Sequence, residues 1–229
     1  MNFLYFDTTQ DWIHVLVGSF ETGSTSEVKI LSKRMEESPK EASYRLVEMI
    51  RTALNESNVL KPDLIIVPNG PGSFTGIRIT VTTARDLSQL WEIPVIGFDS
   101  TLLYLVGMFD TIASLKTNQN SAIICLDGKQ GKYYTKYFDG VQFSETKDQS
   151  PDDIIESLKS FTETPNKWYY TGSIPHFYPH HAVKIEATNL NLSSIMQYSL
   201  EQINPTELKE YNYLSLLPNY IRGTYVDQK

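Results

Sequence analysis

A short apolar run followed by a loop rich in glycine and proline constrains the fold more than any other feature of this sequence. Leu64-Ile65-Ile66-Val67 has the length and composition of a buried parallel strand. It leads into Pro68-Asn69-Gly70-Pro71-Gly72, and Ser73 then offers a cap for a helix predicted to run to about Trp91. A strand, a tight loop and a helix in this order are typical of an α/β fold.

Further strands and helices surround this unit and predict a mixed sheet with helices packed against it. Alternating apolar residues indicate strands, and apolar residues three to four apart indicate helices. Ser38 and Pro39 are expected to cap and open the first helix. In the first half of the chain we expect strands at 3–6, 12–18, 27–33, 64–67 and 94–97, with helices at 41–54, 73–91 and 100–115.

The second half of the chain also mixes strands and helices, after a polar stretch at 116–121. We expect strands at 122–127, 132–138 and 168–170, a hairpin turn at 128–131, and helices at 152–161 and 193–203. The 229 residues are therefore expected to form two α/β lobes, 1–115 and 116–229.

Composition and charge limit the classes of protein to which this chain can belong. The chain has 27 acidic and 20 basic residues, a net charge of −7, which argues against a broad basic surface that grips nucleic acid. Its first residues lack a signal peptide, and no window is apolar enough for a membrane helix, so we expect a soluble cytoplasmic protein without membrane contact. The one cysteine, Cys125, lies in an apolar run and is expected to be a buried core thiol.

The loop and the end of the first strand contain residues suited to phosphate binding. Gly70, Gly72 and Ser73 form a turn at a helix N-terminus, where backbone N–H groups and the helix dipole attract anions. Asp7 and Thr8 offer a carboxylate and a hydroxyl for a hydrated magnesium ion and phosphate oxygens. The same residues also fit a tight, packed β–α turn and ordinary turn chemistry, so both interpretations stay open.

Other catalytic signatures are weak. His176 and His180 have the spacing of paired metal ligands on a helix, but Pro175 and Pro179 interrupt the segment and no glutamate lies between the histidines. The sequence contains no Gly-x-Ser-x-Gly motif. We therefore expect neither a metal site nor a catalytic residue.

Four segments resemble the TsaB (YeaZ) family. They are Asp7-Thr8-Thr9 after the first strand, the long run from Gly70 to Ile79 with its continuation from Ile93 to Leu102, the segment from Leu126 to Tyr134, and Leu217-Pro218-Asn219-Tyr220-Ile221-Arg222. The resemblance spans the whole chain. It implies an actin/hexokinase-like fold with two lobes, each a mixed sheet with flanking helices.

The resemblance also implies a function. A TsaB-like chain is a catalytically silent partner of TsaD, which transfers a threonylcarbamoyl group to adenosine 37 of tRNAs that decode ANN codons. TsaE docks on the TsaB–TsaD pair, tRNA is reached only through the complex, and the chain forms a homodimer when TsaD is absent. The resemblance implies no tightly bound cofactor, and it allows ATP or ADP at the partner interface.

One stretch favours a silent subunit over an enzyme. TsaD-like enzymes carry a metal-binding His-x-x-x-His just after a strand of the Pro-Val-Ile type. The matching stretch here, from Phe98 to Tyr104, contains no histidine. The alternative is an actin/hexokinase-like enzyme that binds ATP on its own through Asp7 and the Gly70–Ser73 loop.

The two long helices of the first lobe carry more apolar positions than one sheet-facing stripe needs. A helix that is apolar on two sides is either deep in a core or shared with another chain. Together with the resemblance, this surplus predicts the partner interface. The predicted interface residues are Leu46, Met49, Ile50, Phe74, Ile77, Arg78, Val81, Thr82 and Arg85.

Overall fold

The computed structural model describes residues 1–21, 28–37, 41–110, 120–161, 167–172, 182–204, 206–208, 211 and 213–222. The chain divides into two compact units, one formed by 1–100 and 199–219 and the other by 101–198 and 220–229. Among the described residues, no helix combines the length and apolar character needed to cross a membrane.

The first unit is a five-stranded mixed sheet with two long helices. Its elements are β1 (Asn2–Asp7), β2 (Ile13–Ser19), β3 (Lys29–Glu36), α1 (Ala42–Glu56), β4 (Leu64–Gly70), α2 (Phe74–Trp91) and β5 (Val95–Asp99). The strand order is β3-β2-β1-β4-β5, with antiparallel pairing among β1, β2 and β3 and parallel pairing of β1 with β4 and β4 with β5.

Strand register shows that α1 and α2 cover the same face of this sheet. Thr8 follows β1 and contacts Thr80 of α2, while Arg34 on β3 contacts Glu56 of α1. Phe6 pairs with Val15, and Val15 pairs with Arg34. Because side chains alternate along a strand, Thr8, Phe6, Val15 and Arg34 all point to one face. The opposite face carries Tyr5, Asp7 and His14.

The second unit repeats the strand order of the first. Its elements are α3 (Ser100–Gly107), β6 (Asn120–Asp127), β7 (Tyr133–Phe138), β8 (Lys147–Gln149), α4 (Pro151–Phe161), β9 (Lys167–Gly172), β10 (Ala182–Lys184) and α5 (Leu192–Gln202). The order β8-β7-β6-β9-β10 matches β3-β2-β1-β4-β5, with antiparallel pairing in the first three strands and parallel pairing in the rest.

A compact apolar core holds α4 to this second sheet. Ile154 and Leu158 of α4 pack with Cys125, Tyr137 and Trp168. Cys125 is fully buried, and burial raises the pKa of its thiol far above the ordinary value. The expectation of a core thiol is confirmed.

The predicted elements agree with the structure in type, with differences at their ends. β4 continues to Gly70, so part of the predicted loop is strand, and α3 ends at Gly107 where a helix to 115 was predicted. Ser38, Pro39, His176 and the boundary predicted at 115 lie outside the described residues. The compact units differ from the predicted lobes because segment 199–219 packs with the first unit.

Candidate functional site

The glycine-rich loop packs tightly against the end of β1. The Ser73 hydroxyl accepts a hydrogen bond from the Gly76 N–H at 3.3 Å, as expected of a helix N-cap. The Ser73 N–H donates to the Thr9 carbonyl at 2.7 Å, and the Gly70 N–H donates to the Ser100 hydroxyl at 3.1 Å. Two amides of the predicted phosphate loop, those of Gly70 and Ser73, and the Gly76 amide in the first turn of α2 are therefore already donating within the chain.

Each glycine of this loop lies where a side chain would collide with backbone. A Cβ at Gly76 would stand 1.8 Å from the Thr8 carbonyl oxygen, and one at Gly72 would stand 2.4 Å from that of Thr9. Gly70 has a φ of +117° and would place a Cβ 2.6 Å from the Asn219 carbonyl oxygen. The packed-turn interpretation therefore accounts for all three glycines by close approach of the backbone.

Thr8 fastens the start of α2 to the sheet. Its hydroxyl donates to the Gly76 carbonyl at 2.7 Å and lies 2.8 Å from the Thr80 hydroxyl. Its N–H donates to the Thr80 hydroxyl at 3.0 Å. Thr8 and Thr80 are both buried, and their hydroxyls link the end of β1 to α2 by hydrogen bonds.

Asp7, the other candidate for a phosphate or magnesium site, is fully buried. Its Oδ1 accepts hydrogen bonds from the N–H and the hydroxyl of Thr9, both at 2.7 Å, and its Oδ2 accepts a longer one from the Trp12 indole at 3.4 Å. These donors compensate the charge of a buried carboxylate. A cation bound here would have to share the Asp7 carboxylate with these donors.

A buried polar cluster surrounds Asp7 on one face of the sheet. His14 lies directly opposite Asp7 in the β1–β2 register, and Tyr5 is two residues away on the same strand face. The Tyr5 hydroxyl and His14 Nε2 have no hydrogen-bond partner within the described residues. Burial, reinforced by the charge of Asp7, raises the pKa of Tyr5 well above its ordinary value. Burial also lowers the pKa of His14, although Asp7 opposes that shift.

We expect the stability of the chain to fall as the pH drops below about 6.5, and His14 to cause part of that fall. An unfolded histidine gains a proton near pH 6.5, whereas His14 in the folded chain stays neutral to lower pH, so acid favours the unfolded state. One such proton changes the free energy of unfolding by at most about 1.4 kcal/mol per pH unit. Urea unfolding of wild type and His14→Phe between pH 7 and pH 5 measures the effect, and parallel pH profiles would contradict it.

The predicted partner surface separates into buried and exposed side chains. Five of its nine residues are buried in the first unit, at most 5% exposed, which corrects the prediction for them: Leu46, Met49, Ile50, Ile77 and Val81. Phe74, Arg78 and Thr82 are exposed and Arg85 is half-buried. The predicted interface on these helices therefore narrows to the outer face of α2.

The outer faces of α1 and α2 carry further apolar side chains that the predicted set left out. Tyr44 and Val47 on α1 are 70% and 58% exposed, and Leu90 on α2 is 73% exposed. The Arg78 guanidinium lies 3.9 Å from the centre of the Phe74 ring, a cation–π contact at the surface. Tyr44, Val47 and Leu90 all lie outside the buried apolar stripe of their helix. Helical spacing in the sequence already places them there, so the sequence contained the signal that could have identified them.

The hydroxyls of Ser100 and Thr101, at the start of α3, make contacts within the chain. Ser100 accepts the Gly70 N–H within the first unit, and in the second unit the Thr101 hydroxyl lies 2.8 Å from that of Thr146. The described residues contain no group of three or more histidine, cysteine, aspartate or glutamate side chains arranged to hold a metal ion.

Comparisons with known proteins place this geometry in context. The family model described as TsaD, tRNA N6-adenosine threonylcarbamoyltransferase, matches residues 34–194. The tRNA threonylcarbamoyladenosine biosynthesis protein TsaB of Bacillus subtilis is 30% identical over 128 residues, which cover 52% of this chain and 52% of that protein. The match thus spans about half the length of the curated relative.

Solved structures show the same fold over more of the chain. YeaZ from Pseudomonas aeruginosa superposes with a TM-score of 0.69 at 18% identity, covering 96% of this chain and 99% of that one. Lmo2764 of Listeria monocytogenes, a proposed N-acetylmannosamine kinase, gives a TM-score of 0.50 at 8% identity, with 89% and 100% covered. The predicted actin/hexokinase-like fold is confirmed.

Proposed function

Since the chain belongs to the TsaD family and its curated relatives include TsaB proteins, we propose that it is a non-catalytic subunit that binds TsaD. In this role it supports threonylcarbamoyl transfer to adenosine 37 of ANN-decoding tRNAs in the cytoplasm. TsaE docks on the pair, tRNA is reached through the complex, and the chain pairs with itself when TsaD is absent.

The observation that carries this proposal is the apolar outer face of α1 and α2. Tyr44, Val47, Phe74 and Leu90 are large and exposed on two neighbouring helices that share one side of the sheet. Large apolar groups exposed on neighbouring helices favour a protein partner, because covering them removes apolar area from water. Thr82 on the same face is small enough to let a partner helix approach closely.

Two features of the site support a non-catalytic role. The stretch from Phe98 to Tyr104 has no histidine, and the hydroxyls of Ser100 and Thr101 take part in contacts within the chain. The amides of Gly70, Ser73 and Gly76 and the carboxylate of Asp7 are likewise engaged internally. We expect no tightly bound cofactor, and ATP or ADP would bind only where a partner completes the site.

A non-catalytic subunit can activate TsaD through thermodynamic linkage between binding and conformation. A chain that binds the active conformation of TsaD more tightly than other conformations raises the population of the active one. The subunit then contributes binding energy, and TsaD contributes the reacting groups.

Sedimentation of the chain with its cognate TsaD tests the binding step. We expect each protein alone and the equimolar mixture to give distinct species, with a one-to-one complex in the mixture. The chain alone is expected to sediment as a dimer that dissociates as TsaD is added, because both use the outer face of α1 and α2. A mixture that sediments as the sum of its separate components would contradict the proposal.

A further inference from the structure

The free edge of β5 forms one side of a groove in the first unit. β5 is the last strand of the sheet, and β4 pairs with it on its other side only. The groove has a volume of about 400 Å³ and lies between Val95–Gly97 and Ser215–Leu217 of the returning C-terminal segment. Two or three residues of an extended peptide fill a space of this size.

Strand register identifies the backbone groups of β5 that point away from β4. The Pro94 carbonyl accepts the Ile65 N–H at 3.0 Å and therefore points toward β4. Because backbone groups alternate in direction along a strand, Ile96 also points toward β4, whereas the N–H and C=O of Val95 and Gly97 point outward. No described residue pairs with these outward groups.

β5 also lacks the protection that the other edge strands carry. β3 contains three charged residues other than its last, β8 begins with Lys147-Asp148, and β10 ends in Lys184 within only three residues. Charge and short length both discourage pairing with another strand. In β5 the only charged residue is Asp99, at its very end.

The opposite wall of the groove is held in place by named contacts. The Asn219 N–H donates to the Asn69 carbonyl at 2.7 Å, and the Asn69 side-chain amide donates to the Leu217 carbonyl at 3.0 Å. Leu216 is buried and packs against Gly97: a Cβ added at Gly97 would lie 2.5 Å from the Leu216 Cδ1. The groove is therefore preformed, which lowers the entropic cost of binding.

The walls define the chemistry of an occupant. Leu217 lines the groove with its side chain 60% exposed, so one wall offers apolar area. Glu207 is the one charged side chain among the described residues that line the groove, and the chain as a whole carries a net charge of −7. We propose that the β5 edge docks an extended segment of a partner protein in which apolar and basic residues alternate, adding a strand to the sheet. The site shares no residue with the outer face of α1 and α2, so it stands independently of TsaD binding.

A fluorescent peptide of sequence Leu-Lys-Leu-Lys-Leu, blocked at both ends, probes the groove by anisotropy with the full chain. We expect saturable binding that Leu217→Lys weakens at least tenfold, while Leu60→Lys, at a position 98% exposed and away from the groove, leaves it unchanged. Circular dichroism checks that both variants are folded. Equal binding by wild type and Leu217→Lys would overturn the proposal.

Two modified probes separate strand addition from attraction by charge alone. N-methylation removes backbone donors, and methylating either the odd or the even residues blocks one edge of the peptide at a time. We expect one version to bind like the parent and the other to lose at least tenfold, and Leu-Glu-Leu-Glu-Leu to bind at least tenfold more weakly. Equal binding of both methylated versions, loss of binding by both, or equal binding of the acidic peptide would overturn the proposal. So would self-association through β5 without peptide binding.

Discussion

We expect Thr82→Arg to abolish binding to TsaD, with at least a hundredfold loss of affinity, while the chain stays folded. Thr82 is exposed on the outer face of α2, between Arg78 and Asp86 one turn away on either side. Burying an unpaired charge at a packed contact costs several kcal/mol, whereas the same charge on an open surface changes stability by about 0.5 kcal/mol at most. A pull-down and sedimentation with TsaD measure the loss.

Two further variants serve as controls for Thr82→Arg. Val141→Arg places the same charge on an exposed turn of the second unit and should bind TsaD like wild type. Val81→Glu, one residue from Thr82, should unfold the chain, because Val81 is buried. If Thr82→Arg binds TsaD as tightly as Val141→Arg does, the interface lies elsewhere and the function assigned to these helices is wrong.

The second large effect is expected at Gly76. In Gly76→Ala the new Cβ would lie 1.8 Å from the Thr8 carbonyl oxygen, so α2 must move away from β1. That movement breaks the hydrogen bonds that Thr8 makes with Gly76 and Thr80. Overpacking of this kind costs about 3 kcal/mol, which lowers the melting temperature by about 6–12 °C for a chain of this size.

Gly131→Ala is the matched control for this substitution. Gly131 has a φ of +73°, and a Cβ added there would meet nothing within 4 Å, so alanine brings only the penalty of the left-handed conformation. That penalty is about 1 kcal/mol. Thermal unfolding of the two variants should show a clearly larger loss for Gly76→Ala. Equal losses would mean that the contact between Gly76 and Thr8 is not tight in solution.

Local patterns in the sequence predicted the elements but not the reasons for some residues. The apolar run from Leu64 and the N-cap at Ser73 lie where the sequence predicted them. The glycines at 70, 72 and 76 were compatible with a phosphate loop or a packed turn. A sequence shows that these residues lack a Cβ, but it does not show which atoms occupy the space beside them. The Thr8 and Thr9 carbonyls, just after β1, fill the space beside Gly76 and Gly72, and the Asn219 carbonyl fills the space beside Gly70. These contacts are distant in the sequence and no local pattern contains them.

The partner surface was predicted less well because helical spacing does not reveal which apolar stripe faces the sheet. Leu46 and Ile77 were assigned to the interface and are buried, while Tyr44 and Leu90 are exposed on the same two helices. The return of segment 199–219 to the first unit is a long-range contact that no local pattern contains. It also creates the groove beside β5.

A tRNA modification assay with defined components measures whether TsaD needs this chain as a non-catalytic subunit. The chain, TsaD and TsaE are combined with an ANN-decoding tRNA and the activated threonylcarbamoyl donor, and each protein is omitted in turn. We expect full modification with all three proteins, a large loss when this chain is omitted, and none with this chain alone. Modification by this chain alone, or full activity of TsaD and TsaE without it, would show that the proposed function is wrong.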